Sequence, residues 1–217
     1  MSPAARVRVK ICGITRAADA HAAAAAGADA IGLVFAASSP RRVAPDAARA
    51  IAAALPPFVA AVGVFAGESP ERVREIASEA GLSVVQVHGD DAARALAADP
   101  RGLRVIAAAR LASADDARTL RGRFPGAVAI LCDSAGKLGQ TPFREGGTGV
   151  AFPWEWLVGI DVGAPLVLAG GLTPENVAEA ARRVRPWAVD VSTGVESAPG
   201  VKDAARIAAF VGAVRGA

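Results

Sequence analysis

Eight short β-branched runs, each followed by an alanine-rich stretch with apolar residues at helical spacing, set the strongest limit on what this chain can fold into. Alternating strand and helix buries both faces of a parallel sheet. The runs fall at residues 8–12, 30–35, 59–65, 83–88, 104–108, 127–133, 165–169 and 188–192. Eight such units favour a closed α/β barrel, the (βα)8 TIM barrel, over an open sheet. A length of 217 residues suits one domain spanning residues 1–217.

Helix starts are marked at Pro45-Asp46, Ser69-Pro70-Glu71, Asp90-Asp91, Ser113, Thr173-Pro174-Glu175 and near Lys202-Asp203. The sixth connection, residues 134–152, is long and glycine-rich, and the helix behind it, around Trp154 to Val158, is stunted. A long loop in an otherwise economical chain points to function.

Composition narrows the partners. With 24 basic and 21 acidic residues the formal charge is only +3, the arginines are scattered, and there is no tyrosine. That argues against nucleic acid, which needs basic stripes or stacking platforms, and leaves a mild attraction for anionic ligands. The start MSPAARVRVK lacks the apolar core of a signal peptide. The longest apolar run, residues 22–37, is too short and too alanine-rich to span a bilayer. Two cysteines without CxxC spacing fit a reduced cytoplasmic protein.

In a (βα)8 barrel the chemistry gathers at the carboxyl ends of the strands, and phosphate is commonly held after strands seven and eight. There the chain reads LAGGLTPENV, with Gly170 and Gly171, and VDVSTGVE, with Ser192, Thr193 and Gly194. Backbone N–H groups in such turns can meet an anion, although glycine can also serve turn geometry alone. Asp133 ends an apolar strand, so it is a candidate general acid; a cap or Asx-turn with Ser134 explains the same residue. Cys12 ends strand one. It is either a packed, inert thiol or a reactive one, with Lys10 and Gly13 as sources of thiolate stabilisation.

Period-two alternation sharpens these candidates. If Cys12 and Asp133 face the mouth, Lys10, Leu131, Gln86, His88, Asp190 and Ser192 also face the interior, and Cys132 packs outward against helices. Barrel closure makes strands one and eight neighbours, so Lys10 and Asp190 are expected to pair. His88 has no ligand-spaced partner for a metal, and His21 reads as a surface residue. Arg41 or Arg42, in SSPRRVAP after strand two, can clamp a carboxylate or remain a solvated loop charge.

These motifs, in order along nearly the full chain, resemble the phosphoribosylanthranilate isomerases of tryptophan biosynthesis. The resemblance rests on KICGIT, SPRRV, VQVHG, LCDS followed by GGTG, LAGGLTPENV and VDVSTGVE…PGVKD. It implies a (βα)8 isomerase, active as a monomer or homodimer on a small phosphosugar, with no cofactor and no metal. It also implies Cys12 as general base and Asp133 as general acid. Arg41 matches the contact to the anthranilate carboxylate, and Asp190 a residue near the substrate. The sixth loop departs from the family: a basic residue and FDW often follow GGTG, whereas this chain reads Val150-Ala151-Phe152-Pro153-Trp154. Two other readings are a barrel that also accepts the related histidine-pathway aminoaldose, which needs a second phosphate site, and a noncatalytic phosphosugar-binding barrel.

Overall fold

A computed structural model describes residues 6–134 and 153–217. The GGTG motif and the Val150-Ala151-Phe152 departure lie outside the described residues, as does the sixth connection beyond Ser134. Eight parallel strands close a barrel in chain order: β1 (Arg8–Cys12), β2 (Ala30–Val34), β3 (Ala60–Ala66), β4 (Val84–His88), β5 (Arg104–Leu111), β6 (Ala129–Ser134), β7 (Leu166–Leu168) and β8 (Ala188–Val191). Closure runs through the β1–β8 ladder, where Lys10 pairs in register with Asp190 and Ile11 with Val191. Around it lie α1 (Ala17–Ala25), α2 (Pro45–Ala53), α3 (Pro70–Ala80), α4 (Asp90–Ala98), α5 (Ala114–Arg118), α6 (Val177–Val184) and α7 (Ala204–Arg215). A single 3-10 turn, Trp154–Leu157, stands where the sixth helix was expected to be stunted.

Local chemistry explains where the helices start. Ser69 accepts a hydrogen bond from the Arg72 N–H, Pro70 fills the first turn where an N–H is unneeded, and Gly81 ends α3 at φ 68°. Ser113 and Asp116 form a reciprocal capping box on α5, and Asp203 caps α7 through the N–H groups of Ala205 and Arg206. The Thr173-Pro174-Glu175 signal is displaced: these residues form a turn, and α6 begins at Val177. Asn176 takes the Thr173 N–H, so the side chain that would cap a helix ties down the preceding loop instead.

Parity sorts the strands as the alternation requires. Val9, Ile11, Ile31, Leu33, Val85, Val87, Ile130 and Cys132 pack outward in the main core with the helices. Ala108, Ala129, Leu131, Val167, Ala169 and Ala188 fill one side of the barrel interior. The rest of the interior combines an apolar group of Cys12, Val34, Ala36 and Val64 with Lys10, Gln86 and Asp190, which are at most 8% exposed. Charges so buried persist only when paired, because desolvation is otherwise uncompensated.

One feature of the fold has no counterpart in the strand–helix reading. Between β8 and α7 a small antiparallel hairpin, β9 (Glu196–Ala198) with β10 (Val201–Lys202), crosses the barrel mouth. No helix among the described residues is long and apolar enough to cross a membrane.

Candidate active site

At the carboxyl end of β1 the thiol of Cys12 is buried against Val34, Ala36 and Val64. Space for it comes from β2: a Cβ on Gly32 would lie 2.7 Å from Cys12 Sγ and 3.1 Å from Lys10 Nζ. Below it, Lys10 Nζ donates to Asp190 Oδ1 at 2.8 Å, the ion pair expected from barrel closure. Burial works against the Lys10 charge, yet Asp190 and Cys12 outweigh it and hold the ammonium above the ordinary lysine range. For Cys12 the balance goes the other way. Burial pushes the thiol up, and although Lys10 and Lys202 oppose that, Asp190 reinforces it. Thiolate stabilisation by Lys10 is thus present but incomplete.

Asp133 sits near the end of β6, half-buried, on the same face as the interior residues Ala129 and Leu131. In the ladder with β5 it stands opposite Arg110. Cys132, one residue before, is fully buried and its thiol is pushed up to about 12 by burial and by Asp133. It is packing, as its outward parity implies.

The two adjacent arginines separate cleanly. Arg42 is exposed, whereas Arg41 is 7% exposed at the mouth, its aliphatic stem beside Gly13. Its guanidinium meets Glu196 in a two-pronged pair, Nε to Oε1 at 2.8 Å and Nη2 to Oε2 at 2.7 Å. Glu196 Oε1 also accepts from Lys202 Nζ at 2.7 Å. Burial alone would raise the Glu196 carboxyl, but Arg41 and Lys202 hold it below the usual range. Lys202 in turn donates to the Ser192 carbonyl at 3.1 Å, so the hairpin ties the β2 loop to the turn after β8. Glu196 and Lys202 join Arg41 to the turn after β8, and sequence reasoning overlooked them. Both lie in VDVSTGVE…PGVKD, but only the hairpin brings them back over the mouth.

After β7, Gly170 and Gly171 take φ of 85° and 67°, values that favour glycine, and the Gly171 carbonyl is held by Asn176 Nδ2 at 2.9 Å. After β8, Ser192 leads into a 3-10 turn, Thr193–Val195. Gly194 has a packing role as well: a Cβ there would lie 2.0 Å from the Leu172 carbonyl oxygen, so the two turns touch backbone to backbone. Gly194→Ala should therefore force the turns apart and cost about 1–3 kcal/mol of stability, as overpacking does. Urea denaturation checks this, and an unchanged midpoint would show that the turns yield freely.

His88 and Gln86 both face inward as parity requires, with Gln86 Nε2 and His88 Nε2 3.0 Å apart. Among the described residues His88 Nδ1 has no hydrogen-bond partner, so there this ring is only half satisfied. Burial, then Arg110 and Lys10, lower its pKa to about 4, which leaves it neutral near pH 7. His21 is exposed, as expected.

Thus Cys12, Asp133, Arg41, Asp190 and the two glycine-bearing turns, predicted from scattered motifs, converge on one end of the barrel. The chain matches the family model for N-(5'-phosphoribosyl)anthranilate isomerase over residues 9–213. An N-(5'-phosphoribosyl)anthranilate isomerase of Pseudomonas aeruginosa is 52% identical over 211 residues, covering 96% of this chain and 95% of that relative. Among solved structures, the phosphoribosyl anthranilate isomerase of Thermotoga maritima superposes with a TM-score of 0.84 at 42% identity, covering 97% of this chain and 100% of that one. Another isomerase structure, in complex with reduced 1-(o-carboxyphenylamino)-1-deoxyribulose 5-phosphate, superposes at 0.81 with 39% identity, covering 97% and 100%. A barrel with these residues at its mouth and this likeness over almost its whole length belongs to the N-(5'-phosphoribosyl)anthranilate isomerase family.

Proposed function

We propose that this chain catalyses the Amadori rearrangement of N-(5-phosphoribosyl)anthranilate to 1-(2-carboxyphenylamino)-1-deoxyribulose 5-phosphate, the third step of the tryptophan branch. The observation that carries the assignment of roles is the placement of a thiol on β1 and a carboxyl on β6 at the same barrel mouth as two phosphate-type turns.

The chemistry needs one acid and one base. Asp133, protonated, gives its proton to the furanose oxygen; the C1–O bond breaks as the nitrogen lone pair forms an iminium. That cation acidifies the C2–H. Cys12, as thiolate, removes the C2 proton, and the electron pair flows to nitrogen to give an enolamine. Tautomerisation to the 2-ketone then places a proton on C1.

Gly170, Gly171, Ser192, Thr193 and Gly194 hold the phosphate through backbone N–H groups and the hydroxyls. Lys202, bonded to Ser192, adds positive charge behind that turn. Binding energy so far from C2 can orient the sugar for the chemical step. Arg41 receives the anthranilate carboxylate, with Glu196 fixing the plane of its guanidinium. Asp190 acts close to the substrate through Lys10. The whole chain works as one cytoplasmic barrel domain, monomer or homodimer, with a small phosphosugar as its partner.

The test mixes purified protein with freshly formed phosphoribosylanthranilate and follows the loss of anthranilate-type fluorescence. Wild-type protein should consume it, and a rate no faster than the buffer control would reject the assignment.

A further inference from the structure

We propose that Lys10 is the positioning residue for the base of this reaction, an ammonium locked inside the barrel to orient the Cys12 sulfur and stabilise its ionised form. The proposal rests on the isomerase reading for its meaning, but its geometry stands independently. Lys10 Nζ and Cys12 Sγ crowd the same point, the place where a Gly32 Cβ would be, at 3.1 and 2.7 Å. Glycine at that register position leaves the space that the two side chains share. Lys10 is also fixed by Asp190 Oδ1 at 2.8 Å, and it is 5% exposed. An ammonium held this way cannot follow the solvent.

The surrounding charges favour the same outcome. The groups that act on Cys12 are Lys10 from β1, Asp190 from β8 and Lys202 from β10, while the facing position on β2 is Gly32. That is two cations against one carboxylate. Those three carry a net +1, and the Arg41–Glu196 pair beside Lys202 adds no net charge, so ionising the thiol brings the whole set to neutrality and offsets part of the desolvation cost of burying a thiolate. Lys202 also answers to Glu196 at 2.7 Å, whereas Lys10 Nζ shares the space at Gly32 with the sulfur, so Lys10 is the cation best able to serve it.

The experiment reads the thiol without substrate, so that its failure is distinct from failure of the isomerase assignment. Folded protein is treated with iodoacetamide across a pH series, and alkylation of the Cys12 peptide is followed by mass spectrometry. This separates it from Cys132, which is buried on the helix side. Lys10→Met should move the alkylation midpoint up by at least about one pH unit, with modification at pH 8 slowed at least about tenfold. The acid limb of kcat/KM should move up with it, so that activity recovers partly at high pH. A purely structural role for Lys10 predicts a pH-independent loss instead. Because Lys10→Met strands Asp190, Lys10→Met/Asp190→Asn is also measured against Asp190→Asn, a pair that differs only in Lys10 and decides the matter if the single variant does not fold. Coincident alkylation profiles within the pair that folds, wild type with Lys10→Met or Asp190→Asn with the double variant, would overturn the proposal.

Discussion

Cys12→Ala is expected to lower kcat/KM for phosphoribosylanthranilate at least about 10²-fold, the lower range for loss of a positioned base. The substitution removes the sulfur while leaving the wall formed by Val34, Ala36 and Val64, so the fold should persist. The pH dependence identifies the group lost. Burial raises the Cys12 thiol above its ordinary value, so near neutrality only a minor fraction is thiolate. That fraction grows with pH until the thiol is titrated, and wild-type kcat/KM should climb on its acid side. The alanine variant should lack this limb. Fluorescence-based turnover across pH checks both claims, and near-normal activity in Cys12→Ala would remove the thiol from the mechanism.

Asp133→Asn is expected to cost a similar factor, at least about 10². The amide keeps the size of the carboxyl and its place opposite Arg110 in the β5–β6 ladder, but cannot deliver a proton to the ring oxygen. Since the proton moves in the transition state, the loss should fall mainly on kcat, with KM little changed. A variant that loses affinity while keeping kcat would assign Asp133 to binding. Measuring both constants in one series with Cys12→Ala distinguishes an acid and a base from two binding groups.

Much of this site could be read along the chain because a closed barrel makes strong use of parity. Period two placed Lys10 with Cys12 and Gln86 with His88, and closure placed β1 beside β8. The Lys10–Asp190 pair at 2.8 Å follows from those two rules alone. Where local signals competed with tertiary contacts, reading along the chain was less accurate. Thr173-Pro174-Glu175 carries a helix-start signal, but Asn176 bonds the preceding loop, and the helix waits until Val177. Gly194 stands in a phosphate-type turn, and nothing in VDVSTGVE discloses that Leu172 also approaches it from another loop.

By itself, then, the sequence determined the eightfold strand–helix alternation, the inward face of each strand and the residues standing at the strand ends. These depend on neighbours within a few positions, where backbone geometry repeats. Only the tertiary structure decided which of two arginines enters the mouth, that Glu196 and Lys202 cross over to hold it, and that Gly32 opens the space shared by Cys12 and Lys10. It also decided the sign of the thiol's shift. Ionisation depends on the sum of burial and every nearby charge, and those charges arrive from β1, β8 and β10, far apart in the chain and adjacent only once the barrel closes.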